Sequence, residues 1–541
     1  MAKEITFGDD LRKRLFKGVK TTVDAVSSTL GPSGRCVLIE NSYGYPTSTK
    51  DGVTVAKAIE LDDPVENMGA TIVKNITGNT DQSAGDGTTT ASVLTLGILE
   101  EGLKAVDVGV NPIKLRNGIQ DAVDDVVKEL KESYTSEVET EEQISQLASI
   151  SANNDKVLGD LIAQAIKTVG SSGVVTTGES STCDTYMDFV EGMSFDKGFL
   201  SPYFCTDKDN LTVEYQKPYI LMTDKVISNI QSILPILDKI SREGKPLLII
   251  AEDIEAEALS TIVINDMRGV FKVCAIKSPG FGDKKKEMLE DIAILTGGQV
   301  ITEELGLSLE TMTMDDLGMA DSLTVTKNRT TIIGGYGDGD IIDERVAHLE
   351  KEVKECTSDY DKGRLQERLA RLAGGIAVIK VGDVSETALK EKKYRVEDAL
   401  NATRAGIDEG IIAGGGTALC QISHNLKTNP KTSGDSDYMR GYNIVLDAIT
   451  RPIKQIAENC GLSGDVVADK VQNSPKGVGF NALTGQYVDM IADGVIDPVK
   501  VTRLALLNAS SVASLILTSS CSITTKPDPH ENDPMNGMHP M

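Results

Sequence analysis

The chain changes its periodicity twice, and this limits its fold more than any single motif does. From Leu11 to Leu30, from Ala91 to Val108 and from Pro112 to Ser133, apolar residues recur at the spacing of helices that bury one face. After about Gly170 short extended runs take over. Gly173–Thr177, Thr212–Tyr215, Ile220–Thr223 and Pro246–Ala251 read as strands. Lys245–Ile250 has the unbroken apolar character of a strand buried on both faces, and a helix is predicted after it over Ile254–Met267. A long charged helix is predicted over Asp343–Ala373, ending at Gly374 and Gly375 before a strand over Ile376–Val381. Helical periodicity returns at Lys390–Gly410, Tyr438–Cys460 and Val499–Ser519. Two α-rich ends around an α/β centre imply an inserted middle domain, and 541 residues exceed what one hydrophobic core can serve.

The first α-rich part carries a small β element. Cys36–Glu40 reads as a strand, Gly44–Pro46 as a loop, and Thr49–Ala56 as a second extended run through Asp51 and Gly52. With 40% apolar and 25% charged residues the chain matches ordinary soluble proteins. Its net charge of −26 opposes a phosphate backbone, and 9 Phe with no Trp give little for bases to stack on, so nucleic acid is excluded as a partner. The eight cysteines are scattered and read as buried reduced thiols. His348, His424, His530 and His539 are too dispersed for a metal cluster or a general base. Met1–Asp10 lacks the apolar run of a secretory signal, and Leu504–Thr518 is interrupted by Asn508, Ser510, Ser511 and Ser514, which fits a buried helix rather than a bilayer span. A cytoplasmic protein with no membrane partner is expected, with a disordered tail over Lys526–Met541.

Four glycine-containing turns could carry chemistry. Gly85, Asp86, Gly87, Thr88, Thr89 and Thr90 precede the helix at Ala91; glycines, free helix-start amides and three hydroxyls make an anion site, and Asp86 is a hard ligand suited to Mg²⁺. An ordinary helix cap would look the same. Thr29, Leu30, Gly31 and Pro32 form a turn after a helix, and Lys50, Asp51 and Gly52 a tight connection that a simple hairpin would also explain. Gly414, Gly415 and Gly416 could stop a helix or offer a flat surface to a ribose. Asp398 lies in the charged run Lys390–Arg404, where a solvated helix face is the plain reading. A Walker-type phosphate loop is absent.

Taken in order, the motifs resemble the group I chaperonins, the GroEL and mitochondrial sixty-kilodalton heat-shock family. The likeness reaches nearly the whole chain up to Cys521. It rests on Thr29–Arg35 (TLGPSGR), Thr49–Val55 (TKDGVTV), Glu66–Ala70 (ENMGA), Gly85–Thr90 (GDGTTT), Ile150–Asn153 (ISAN) and Ser201–Phe204 (SPYF). Further matches are Lys245–Asp253, Pro279–Asp283, Thr357–Arg368, Leu372–Gly382, Val396–Leu400 and Ala413–Gly416. The resemblance implies a multidomain α and α/β chaperonin fold: an α-helical equatorial ATPase domain from 1–135 and 410–525, a small intermediate hinge domain from 136–190 and 375–409, and an α/β apical domain over 191–374.

It also implies ATP, Mg²⁺ and K⁺ as cofactors. Thr29, Leu30, Gly31, Pro32, Lys50, Gly87, Thr88, Thr89 and Thr90 would surround the phosphates, with Asp86 on Mg²⁺ and Lys50 near a potassium ion. Gly415 and Asp497 would hold the ribose side, and Ile150, Asn481, Ala482 and Leu483 the base. Asp398 matches the family's hydrolysis residue, carried on the hinge domain, with Asp51 supporting it. By the same likeness the partners are six further copies in a seven-membered ring, which could stack on a second ring, a GroES-type co-chaperonin lid, and unfolded client proteins. Over Asn229–Gly244 and Ile254–Met267 the apolar stripe is wider than one buried face needs. A helix pair buried on both sides would explain it; the resemblance implies a client groove lined by Phe199, Tyr203, Phe204, Leu234, Leu237, Leu259, Val263 and Ile264.

The chain also departs from the family. Leu462 and Ser463 stand where bacterial members carry an acidic pair used between back-to-back rings, and Lys454 replaces the usual arginine, which puts double-ring stability in doubt. A hinge proline is missing near Glu137, although Gly410 on the return strand remains, and the usual Gly-Gly-Met tail is reduced to Met535–His539. The alternative of another class is a soluble metabolic ATPase or kinase using Gly85–Thr90 on a small substrate, which would turn over as a monomer.

Overall fold

The computed structural model describes residues 3–40, 46–138, 140–152, 154–169, 174–180, 182–208, 211–280, 282–302, 306–356, 359–373, 375–429 and 435–525. The tail expected to be disordered, Asn153, Gly173, Gly374 and most of the Gly44–Pro46 loop lie outside them. The chain forms two compact units, one from residues 1–163 with 383–541 and one from 164–382. The two ends thus build one body and the middle another. Of the segments expected to form a hinge domain, 136–163 and 383–409 fall in the first unit, and 164–190 and 375–382 in the second.

In chain order the helices are α1 (Gly8–Ser27), α2 (Gly52–Ala58), α3 (Pro64–Ala84), α4 (Thr88–Asp107), α5 (Pro112–Glu129), α6 (Glu141–Ser151), α7 (Lys156–Val169), α8 (Leu234–Glu243), α9 (Ala256–Met267), α10 (Asp283–Thr296), α11 (Gly339–Glu355), α12 (Asp359–Ala373), α13 (Glu386–Glu409), α14 (Thr417–Thr428), α15 (Ser436–Ala448), α16 (Arg451–Asn459), α17 (Gly464–Gln472) and α18 (Val499–Thr518).

In the first unit local chemistry starts the helices. Asp63 accepts from the N–H groups of Val65 and Glu66 with Pro64 following, and Asn111 with Pro112 does the same for α5. Helices α1, α3, α4, α5, α15 and α18 then share a core that includes Leu11, Val73, Leu94, Ile119, Val445 and Leu506. By length and composition α18 could cross a membrane. Its Leu506, Ala509, Ala513 and Ile516 are buried against α3, α4 and α5, as expected of a core helix. The single helix predicted over Tyr438–Cys460 is two, because Pro452 sits in the first turn of α16 and cannot continue α15.

The second unit is built on a mixed sheet in the order Val273–Lys277, Leu247–Ala251, Tyr219–Thr223, Gly318–Val325, Thr330–Gly335 and Gly192–Phe195. Leu247–Ala251 is wholly buried and paired in parallel on both sides, which is why it reads as an unbroken apolar run. A second sheet places Ile376–Val381 between Val174–Glu179 and Tyr186–Val190. The charged helix predicted over Asp343–Ala373 starts earlier, capped by Asp338, and is broken where Cys356 turns into extended backbone. Buried Asp291 joins its two halves to α10, accepting from Arg345 Nε at 3.0 Å and Arg368 Nε at 2.9 Å. Cys36, Cys183 and Cys521 are exposed, so the reading of buried thiols holds for Cys205, Cys274 and Cys420.

Candidate functional site

In the first unit α3 ends at Gly85, whose left-handed backbone (φ 71°) lets its N–H reach Asp81 O. Gly87, also left-handed (φ 81°), opens α4, and no side chain caps that helix. The ordinary side-chain cap weighed from sequence is therefore not formed, and the first amides of a 20-residue helix remain without a side-chain acceptor, which favours an anion there. Asp86 Oδ1 instead accepts the N–H of Gly87, and Oδ2 accepts the Ser151 hydroxyl at 3.2 Å. Burial pushes the Asp86 carboxyl up; its two hydrogen bonds pull against this, and the charge of Asp51 adds to it.

Asp51 and Gly52 do not form the expected hairpin. The strand ends at Thr49, and Asp51 caps α2 by accepting from the N–H groups of Val53 at 3.1 Å and Thr54 at 2.8 Å. A Cβ on Gly52 would fall 2.6 Å from Thr89 Oγ1 and 2.9 Å from Thr88 Oγ1. Glycine here admits the two threonine hydroxyls rather than making a turn.

Asp398 is not on a solvated face. It lies on α13 partly buried, and its carboxyl is pushed well up by burial, then by the charges of Asp86, Asp51, Asp81 and Glu397. The docking of α13 explains Gly85: a Cβ there would lie 2.1 Å from Asn401 Cβ. Asp81 went unnoticed in the sequence. It stands one helical turn before Gly85, and burial with the charges of Asp51, Asp86 and Glu397 pushes it up to about 6 against the pull of Lys57. The α3 spacing from Asp81 to Gly85 and Asp86 was the available signal.

These residues line a cavity of about 530 Å³ with Lys50, Thr88, Thr89, Lys390 and Arg395. A second cavity, of about 400 Å³, is lined by Thr29, Leu30, Gly31, Pro32, Gly87, Thr90, Ile150, Gly415, Asn481, Ala482, Leu483 and Asp497. Lys50, Asp86 and Ser151 line both. All the catalytic and cofactor residues expected from sequence are thus brought to one pair of cavities.

At the second cavity the three glycines begin a helix instead of stopping one. Strand Ile411–Ala413 pairs antiparallel with Ile496–Pro498, setting Ile412 opposite Asp497, and the chain turns through left-handed Gly415 and Gly416 into α14. Burial and the charge of Asp86 push Asp497 up to about 6, while the Gly415 N–H pulls it down. Asn481 donates to Asp493 at 2.5 Å and accepts from the N–H of Leu483 at 2.9 Å, which fixes the Asn481–Leu483 turn. Asn459, also missed in the sequence, donates to the carbonyls of Ser27 at 3.0 Å and Leu30 at 2.9 Å and so pins the Thr29–Pro32 turn.

Among the described residues no group of three or more His, Cys, Asp or Glu is arranged to hold a metal ion. A magnesium ion would take Asp86 as its protein ligand and complete its shell from phosphate oxygens and water, and the donor set fits that mode.

In the second unit Tyr203 (66%), Ile264 (48%) and Leu234 (44%) are exposed, while Phe199, Leu259 and Val263 rest partly buried on the core. The expectation for Phe204 and Leu237 needs correcting: both are buried in that core. Ile233, Ile236, Leu237 and Ile240 form the one buried stripe of the α8 region, and Leu234 lies off it, a division the i, i+3, i+4, i+7 spacing already contained. At the departures, Lys454 pairs with Asp465 of its own chain at 2.8 Å, and Leu462 is exposed. Near the missing proline, Ser136 and Ile411 exchange backbone hydrogen bonds of 2.9 and 2.8 Å.

The family model of the TCP-1/cpn60 chaperonin family matches residues 23–527.

Proposed function

This chain belongs to the TCP-1/cpn60 chaperonin family, and on that premise we propose that it is the subunit of an ATP-driven, ring-shaped chaperonin of the cytoplasm. The observation that carries the ATP reading is the meeting of the uncapped α4 start, Lys50, Asp86 and Asp398 on two adjoining cavities. The amides of Thr88, Thr89 and Thr90 and the Lys50 ammonium hold the phosphates, while Gly415, Asp497 and the Asn481–Leu483 turn take the ribose and base. Asp86 would hold Mg²⁺, which would supply charge neutralisation at the phosphates. Asp398 and Asp51 orient the attacking water, and Asp398, raised in proton affinity by burial and then by the charges of its neighbours, takes its proton. Because Asp398 rides on α13, a shift of α13 carries it into or out of the cavity and ties hydrolysis to conformation.

Exposed Tyr203, Leu234 and Ile264, with Met267 and Val270 nearby in the chain, support capture of non-native proteins and of a GroES-type lid. Assembly into a seven-membered ring of identical copies is supported by the ribbon of Lys3–Phe7 with Cys521–Thr525, which exposes Ile5, Phe7 and Ile523. Electron micrographs of the purified protein with and without ATP, together with its turnover in Mg²⁺ and in chelator, test the reading. Seven-fold rings and Mg²⁺-dependent turnover are expected, with K⁺ in place of Na⁺ raising the rate; turnover by a monomer would contradict it.

A further inference from the structure

We infer that Ser151 is a positioning residue: its hydroxyl fixes the rotamer of the Asp86 carboxylate and so sets how tightly the proposed ATP site holds its divalent cation. The inference rests on the reading of Asp86 as the cation ligand. Asp86 stands between Gly85 and Gly87, so no neighbouring side chain along the chain can pack against it. Each of its oxygens has one donor, the Gly87 N–H on Oδ1 and the Ser151 hydroxyl on Oδ2. Both oxygens keep lone pairs for a cation while their direction is fixed, the arrangement by which outer hydrogen bonds orient metal ligands.

Other hydroxyls of α6 are turned elsewhere. Ser149 donates to Ser145 O at 2.7 Å, and Ser145 donates to Asp160 at 2.5 Å. Only the last residue of the helix reaches Asp86, and it lines both cavities. Helix α6 is in turn keyed to α13, for a Cβ on Gly406 would meet Leu147 Cδ2 at 2.3 Å. One packed helix pair therefore delivers Asp398 to the cavity and the hydroxyl to Asp86, which makes cation affinity sensitive to where that pair lies.

The test is Mn²⁺ binding to the purified full-length assembly in saturating ADP, followed by electron paramagnetic resonance, beside ADP binding without metal. Ser151→Ala should weaken Mn²⁺ binding by roughly 10-fold or more, Ser151→Thr should restore it, and metal-free ADP binding should change far less than Mn²⁺ binding does. Ser149→Ala should match wild type throughout. Wild-type Mn²⁺ affinity in Ser151→Ala, with Mn²⁺ lost in Asp86→Ala, overturns the inference and leaves the ATP site standing. Wild-type Mn²⁺ affinity in Asp86→Ala overturns the metal reading itself. Should Ser151→Ala fail to fold, Ser151→Cys, which replaces the hydroxyl with a weak donor of similar size, must show the same weakening.

Discussion

At Gly85 a Cβ would fall 2.1 Å from Asn401, and at Gly52 one would fall 2.6 Å from a threonine oxygen; each position of the cavity pair is fixed by a demand on backbone or approach that few residue types can meet. On the apolar surface of the second unit Leu234 and Leu237 are the same residue type three positions apart on one helix, one exposed and one buried. Residue identity there says nothing about role; only the side of the helix does. A site built on conformational demands is written in its residue types, whereas a site built on exposed apolar area is written in tertiary packing.

The widest effect should come from Asp398→Ala, which leaves nucleotide binding in place and lowers turnover by about 10²–10⁴-fold; steady-state hydrolysis beside nucleotide titration checks it, and wild-type turnover would remove Asp398 from the chemistry. Next is the contrast within α8. Leu237→Ala should cost about 2–5 kcal/mol of stability, read by denaturant unfolding. Leu234→Ala should alter stability by roughly 0.5 kcal/mol or less while reducing capture of a denatured client. Equal stability losses would erase the proposed division of the helix. Gly85→Ala combines left-handed strain of about 1–3 kcal/mol with a clash against α13, so thermal stability and turnover should both fall.

The smallest effect is on pH dependence. Asp81 and Asp497 both have folded-state values raised to about 6 from an unfolded value near 3.8. The folded chain then binds more protons than the unfolded one between these values, so their contribution is full below about pH 4 and is lost as pH rises through about 6. Asp81→Asn should flatten the fall in melting temperature over that window; a steeper fall in the variant would contradict the burial of Asp81.

The α-rich ends, the α/β centre and the buried strand Leu247–Ala251 were legible because helix and buried-strand periodicities are local. The turns Thr29–Pro32, Lys50–Gly52, Gly85–Thr90 and Gly414–Gly416 were legible through their glycines, whereas Asp398, Asp497, Ile150 and Asn481–Leu483 came from the family resemblance alone. Asp81 and Asn459 were not legible: one is a single carboxylate on a polar helix end, the other a helix-end asparagine that reaches the Thr29–Pro32 turn through carbonyls 429 and 432 residues away. Pro452 marked the break between α15 and α16, yet a proline in a first helical turn gives no warning beyond itself. Phe204 and Leu237 entered the groove through the resemblance, and the structure buries both: Phe204 at the end of Pro202–Phe204, and Leu237 on the buried stripe of α8, off which Leu234 lies.

Refolding of a chemically denatured client by the purified assembly, with ATP and with the Asp398→Ala variant in ATP, tests the central claim most directly. Wild type should raise the yield of native client in an ATP-dependent manner with the lid protein present, and the variant should bind client yet fail to cycle. Equal yields with and without ATP, or from both proteins, would contradict the account.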